Sequence, residues 1–332
     1  MKPEYKVKLF AGVRSTSDLT VANYLSAIKP IVELQEKGVH PVVFVADLHA
    51  MTDKEPSLAK KFIREVVADY LALGIDPQKT TIFVQSGIGP QILTLTSYLA
   101  RIITVAELLR VPTLKDKLKN NKSPETANTM LLLYPVLMAA DILIQRAEKV
   151  AVGKDQLAHI EVTRELARRF NKRYGNIFPL PRAYEVESLK ILALRGEEKM
   201  SKTSPDSAIF LTDDPKAIRK KIKSAKTAFE KEMNESLKSH VTLAKGLSEN
   251  KNDHEKIDKI IEAHMRGEKV MGEFKSLLED ITEKFLKKFQ IKRKEVVADP
   301  DYISSALEKG AQFAKKNSTE TLKLAEKAMF EK

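Results

Sequence analysis

The chain has 332 residues, 43% hydrophobic and 31% charged, which is enough for about two soluble globular units. A formal net charge of +12 and a pI near 9.4 point to a polyanionic partner, with nucleic acid the foremost candidate. The absence of cysteine excludes disulfides, thiolate zinc sites and a thiol nucleophile.

The start, MKPEYKVKLFAG, lacks the apolar run of a signal peptide, and KVKLFA (6–11) reads as a buried strand. AGVRSTSDLTVANYLSAI (11–28) passes from that strand through a turn into a helix from about Ala22 to Glu36, with Thr20 placed to cap it. Such a strand–loop–helix unit can hold phosphate on its helix N-terminal amides. PVVFVAD (41–47) and TTIFVQ (80–85) are further apolar strands. Helical periodicity runs from Ser57, a cap candidate, to Leu73 before Gly74, and again from Gln91 to Leu109.

MLLLYPVLMAADILI (130–144) is the most apolar stretch, yet it is too short for a comfortable membrane span and contains Pro135 and Asp141. A lone carboxylate in such a run needs a partner or a purpose. An ion pair with Arg146 or a water-facing turn would satisfy it, and so would a role as acceptor at the bottom of an apolar pocket. KVAVG (149–153) reads as a fourth strand, and it leads through Asp155 and Gln156 into a strongly periodic helix that Asp155 could cap. Apolar strands alternating with helices predict a parallel sheet covered on both faces, a Rossmann-like α/β layer. Ligands of such sheets bind beyond the carboxyl ends of the strands.

From Pro205 the pattern becomes helical and basic as far as Gln290, followed by a turn at Asp299–Pro300 and a last helix. Between Lys199 and Lys231 there are nine Lys or Arg against four Asp or Glu. GEEKMSKTSPD (196–206) opens this region as either a charged turn or a phosphate-gripping loop. There is no G-x-x-x-x-G-K-[ST], G-x-G-x-x-G or G-x-S-x-G pattern. His49 and His159 lack metal-ligand spacing, so structural roles and no bound metal are expected of them.

Taken together, YPVLMAADIL, VGKDQ with the following His159, RELARRFNKRYG, VADLHAMT (45–52) and KMSKT resemble the class I aminoacyl-tRNA synthetases, most closely the bacterial-type tryptophanyl family. The resemblance covers most of residues 5–226 and loosely the final helix. It implies a Rossmann catalytic domain over 1–204, a helical anticodon-binding domain over 205–299, and a C-terminal helix (300–332) returning to the first domain. It also implies ATP with Mg²⁺, L-tryptophan and tRNA(Trp) as partners, a homodimer, and a cytoplasmic location without membrane attachment. On this reading Lys199, Ser201 and Lys202 are catalytic. ATP meets Gly12, Arg14, Thr20, Ala22, Asn23, Gly153, Asp155, Lys199, Met200 and Lys202. Tryptophan meets Phe10, His49, Tyr134, Met138, Asp141, Val150, Val152 and Gln156, with Asp141 accepting the indole N–H. Tyrosyl-tRNA synthetase is the nearest relative with a similar plan, and MAADIL favours tryptophan.

The N-terminal signature departs from the family. Gly12, Thr20, Asn23, Tyr24 and Ala27 match it, but Arg14 and Ser15 replace glutamine and proline, and Ser17, Ala22 and Ser26 stand where glycine is expected. A methyl group at Ala22 is expected to crowd adenine, with Arg14 compensating at a phosphate. A paralogue that binds tRNA or a small ligand with weakened ATP use therefore stays open beside the active enzyme.

Overall fold

The computed structural model describes residues 6–14, 19–51, 56–120, 124–153, 156–185 and 191–331. Five parallel strands form one sheet in the order β3-β2-β1-β4-β5: β1 (Leu9–Arg14), β2 (Pro41–Ala46), β3 (Thr81–Val84), β4 (Lys149–Val152) and β5 (Arg182–Glu185). β1 lies in register with β2 from Leu9↔Pro41 to Arg14↔Ala46. It therefore starts three residues later than its apolar run suggests. β5, with the sequence RAYE, is a fifth strand that the periodicity does not reveal; it pairs only with β4.

Side chains of consecutive strand residues alternate between two buried layers. Phe10, Val42, Phe44 and Phe83 belong to one, and Ala11, Val43, Val45 and Ile82 to the other. The sheet is thus covered on both faces, as all-apolar strands require.

The helices between the strands begin with α1 (Val21–Asn23), a π-helical turn over Tyr24–Ile28 and α2 (Lys29–Glu36). Thr20 and Asn23 form a reciprocal capping box at the start of α1. α3 (Asp47–Ala50) follows β2, and α4 begins at Pro56 and ends at Ala72, so Ser57 lies in its first turn rather than before it. A 3₁₀ turn over Gln85–Ile88 joins β3 to α5 (Gly89–Ala100). The periodic stretch to Leu109 is not one helix. Thr104 and Glu107 form a second capping box that starts α6 (Val105–Leu108). α7 (Pro112–Asn120), α8 (Thr129–Ile144) and α9 (Leu157–Tyr174) complete this part.

Past residue 205 the chain is helical: α10 (Pro215–Lys223), α11 (Glu235–Leu247), α12 (Lys251–Arg266), α13 (Met271–Ala298) and α14 (Pro300–Phe330). α13 continues eight residues beyond Gln290, and the turn falls at Asp299, whose carboxylate accepts from the Tyr302 amide. α13 packs on α4, and one hydrophobic cluster runs from the sheet into this bundle.

α14 returns to the sheet and packs along β3, the Gln85–Ile88 turn, α5 and α8. Its close approach depends on Gly310, where a Cβ would lie 1.8 Å from the Ile82 carbonyl oxygen. Buried amides fasten the same helix to α8: Gln145 Nε2 donates to the Ala314 carbonyl (3.1 Å), and Asn317 Nδ2 donates to Gln145 Oε1 (2.9 Å). Gly310→Ala forces backbone apart in a packed layer and is expected to destabilise the protein by about 3 kcal/mol. Urea unfolding with an unchanged midpoint would show that α14 can shift without loss.

Candidate active site

The strand order reverses between β1 and β4, the position at which parallel sheets open a crevice. A cavity of about 560 Å³ lies there, and its walls include Phe10 and Gly12 of β1 with Val150, Val152 and Gly153 of the β4 segment. Phe10 stacks on Phe44 with ring centroids 4.9 Å apart. A Cβ on Gly12 would meet the Phe44 ring at 2.7 Å, so this strand position excludes any larger residue without moving the ring.

α8 supplies the next wall. Its N-cap is Asn128, whose side-chain oxygen accepts from the Leu131 amide at 2.8 Å. Positions 134, 138 and 141 are spaced by four and three residues, which aligns Tyr134, Met138 and Asp141 on one helical face. Tyr134 and Met138 line the cavity, as do His49 of α3 and Gln156 at the start of α9.

Asp141 itself is 2% exposed and stands behind His49 rather than on the cavity surface. Its Oδ2 is 2.9 Å from His49 Nε2, and Gln85 Nε2 donates to Oδ1 at 2.8 Å and to Oδ2 at 2.9 Å. The lone carboxylate of the apolar run is therefore buried rather than turned to the surface, and Arg146 lies 4.0 Å from Glu320 instead. Burial pushes the Asp141 carboxyl above its ordinary range, against the opposing pull of the His49 and Gln85 hydrogen bonds.

Two cavity residues come from a segment to which periodicity gives no role. Thr113 and Lys117 of α7 both line the wall. The Tyr134 hydroxyl donates to Thr113 Oγ1 at 2.9 Å, and Thr113 Oγ1 is 2.6 Å from His159 Nε2. Lys117 Nζ sits 4.5 Å from the centre of the Tyr134 ring. His159 is buried in this network, and no group of three potential metal ligands occurs among the described residues.

The remaining candidates form a second group outside that cavity. The stretch 191–200 is a hairpin in which Leu192 bridges Lys199, Ala193 N donates to the Glu198 carbonyl (2.8 Å) and Met200 N to the Ile191 carbonyl (2.9 Å). Met200 is buried and roots the hairpin in the hydrophobic cluster that also contains Ala22. Lys199 is exposed, Ser201 and Lys202 are half-buried, and Ser201 Oγ lies 2.7 Å from Thr203 Oγ1.

The chain beyond this hairpin then meets the start of α1. Thr20 bridges Phe210, Val21 N donates to the Ile209 carbonyl (3.0 Å), and Leu211 N donates to the Leu19 carbonyl (2.9 Å). Two segments almost two hundred residues apart in sequence are therefore joined backbone to backbone. Ala22 is buried in the core and does not line the cavity, and Asn23 is engaged in capping Thr20. Ser26, which lines the cavity, returns its hydroxyl to the Ala22 carbonyl at 2.7 Å. The Arg14 side chain, Ser15, Ser17 and Asp155 lie outside the described residues.

A five-stranded parallel sheet with a cavity at its switch point places the chain in the Rossmann-like α/β class, and comparison with known proteins gives the family. Residues 1–287 match the family of tRNA synthetases class I (W and Y), to which the chain belongs. Relatives along nearly its whole length include tryptophan–tRNA ligases. That of Bacillus anthracis is 36% identical and that of Halalkalibacterium halodurans 38%, with alignments covering 97% and 98% of both chains. The tryptophanyl-tRNA synthetase of Campylobacter jejuni, solved with ADP and tryptophan, superimposes with a TM-score of 0.82 at 30% identity over 97% of this chain and 99% of its own. That of Mycoplasma pneumoniae gives 0.85 at 28% identity over 97% of each.

Proposed function

We propose that this chain is a tryptophan–tRNA ligase, which activates L-tryptophan with ATP and transfers it to the 3′ end of tRNA(Trp). The observation that carries the choice of amino acid is His49 in the wall of a largely apolar cavity, with Asp141 hydrogen-bonded to it from behind. An indole needs apolar walls and a single acceptor for its N–H. Here Phe10, Met138, Val150 and Val152 supply the walls. Asp141 supplies the acceptor through His49, which lines the cavity in front of it. Tyr134 and Gln156 hold the α-amino end.

In the first step a carboxylate oxygen of tryptophan attacks the α-phosphorus of ATP. The new O–P bond forms as the bond to the β-phosphate bridge breaks, and pyrophosphate leaves. In the second step the terminal hydroxyl of tRNA attacks the tryptophanyl carbonyl and AMP departs. The protein's task is to hold the reactants in line and to stabilise the charge of the departing pyrophosphate.

Lys199 on the hairpin and Lys202 just past it take that second task as cations on either side of Ser201 and the buried Met200. Gly12, Asn23 and Gly153 are assigned to the ATP side, with Arg14 for a phosphate and Asp155 for the ribose, and the buried Thr20, Ala22 and Met200 support that side from the core. Mg²⁺ brought with ATP would supply charge neutralisation; the described residues hold no group of three acidic or histidine ligands for it.

The catalytic domain spans 1–204 with residues 300–332 returning to it, and 205–299 form the tRNA anticodon-binding domain. The enzyme works as a cytoplasmic homodimer. No described helix is long and apolar enough to cross a membrane.

ATP–pyrophosphate exchange measured with each of the twenty amino acids tests the reading. Tryptophan is expected to support exchange and tyrosine not to do so. A well-folded protein that exchanges with no amino acid would instead be a binding paralogue.

A further inference from the structure

The 3₁₀ turn after β3 begins with Gln85, whose side chain is fully buried. Its Oε1 accepts from the backbone amides of Leu48 (3.0 Å) and His49 (3.3 Å), in the first turn of α3. Its Nε2 donates to both oxygens of Asp141. The amide can adopt only this orientation. Backbone N–H groups only donate and an ionised carboxylate only accepts, so exchanging oxygen and nitrogen would oppose like groups on both sides.

One side chain thus joins the two elements that carry the ligand-reading pair, α3 with His49 and α8 with Asp141. The 3₁₀ turn is itself held from behind by α14, which also grips α8 through Asn317 and Gln145. Gln85 is therefore fixed from both ends.

We infer that Gln85 is the positioning residue for amino-acid selection: it aims the Asp141 carboxylate and sets the approach of His49. This rests on the tryptophan reading of the cavity and assigns that reading's geometry to a residue without access to the ligand. Among alternatives at this position, glutamate keeps the acceptor toward α3 but places an oxygen where the Asp141 carboxylate needs a donor. Two carboxyl groups at that separation share one proton until the pH rises far enough to remove it. Asp47 and His49 of α3 are the other ionisable groups acting on Asp141. Among the described residues, α5 and α14 send Gln85 and Asp141 no charged partner.

The test is a pH series on Gln85→Glu. The chain contains no tryptophan, so the emission of free L-tryptophan reports its binding without indole background from the protein. At acidic pH the protonated glutamate donates as the amide does, and the variant is expected to bind tryptophan nearly as the wild type. As the pair loses its shared proton, the dissociation constant is expected to rise about ten- to a hundredfold, the loss that follows when a donor to a charged group is removed. The wild type should instead bind as tightly or more tightly as the pH rises and Asp141 ionises, and KM for ATP should not move in either protein.

Gln85→Met, which offers no donor to Asp141, is expected to show the weakened binding at every pH. Wild-type binding and pH independence in Gln85→Glu would overturn the inference, as would a loss confined to KM for ATP. A wild type that neither binds nor exchanges with tryptophan would mark the failure of the functional reading instead.

Discussion

Lys202→Ala is expected to lower the rate of tryptophan-dependent ATP–pyrophosphate exchange by about a hundred- to a thousandfold, the range found when a preorganised charge-stabilising group is removed. Binding of free tryptophan should be unchanged. The reason lies in where the charge appears. The carboxylate attack leaves negative charge on pyrophosphate, and Lys202 follows the buried Met200 on the hairpin while the Asp141 cavity lies elsewhere. A group that acts only on the departing charge lowers kcat and leaves amino-acid affinity alone. Lys202→Arg should recover part of the rate, because it keeps the charge but exchanges a compact ammonium for a planar fork. Loss of tryptophan binding in step with the rate would show that the hairpin shapes the amino-acid cavity instead.

Asp141→Asn is expected to reduce kcat/KM for tryptophan by about a hundredfold, from loss of a hydrogen bond to a charged acceptor, while thermal stability at neutral pH holds or rises. The sign follows from the carboxyl's environment. Burial raises its pKa in the folded state above the ordinary 3.8, so the folded protein holds that proton more tightly than the unfolded chain. The resulting stabilisation is fully present below the unfolded value and is lost as pH rises through the raised folded value. Above that raised value the ionised group is a cost to folding that asparagine removes. Melting temperatures across an acid-to-neutral series, set beside exchange kinetics, check both halves. A variant that loses stability and activity together would make Asp141 a structural residue.

The sheet was legible where strands were apolar throughout, as in PVVFVA, which is buried along its whole length. It was not legible at RAYE, a four-residue strand paired only with β4 and carrying no alternation to count. The break in the third helical pattern did carry a signal. Thr104 and Glu107 stand three apart, the spacing of a capping box, inside a run whose apolar period suggested continuity.

For the site, helical spacing alone aligned Tyr134, Met138 and Asp141, because a helix fixes which side chains share a face from the chain itself. The order of the motifs sufficed to indicate the family, and residues 1–287 match it. Neither route could find Gln85. Its partners lie 36, 37 and 56 residues away on two other elements, and a glutamine at a strand end has no local signature.

The same holds for the Ile209–Leu211 stretch that ties the lysine hairpin's continuation to Thr20 and Val21. Residue type and local period determined which groups were available and which helical face they occupy. Folding decided which of them meet: a buried carboxylate selects its partners by what the packed elements bring within hydrogen-bond reach, and no local interval in the chain encodes that distance.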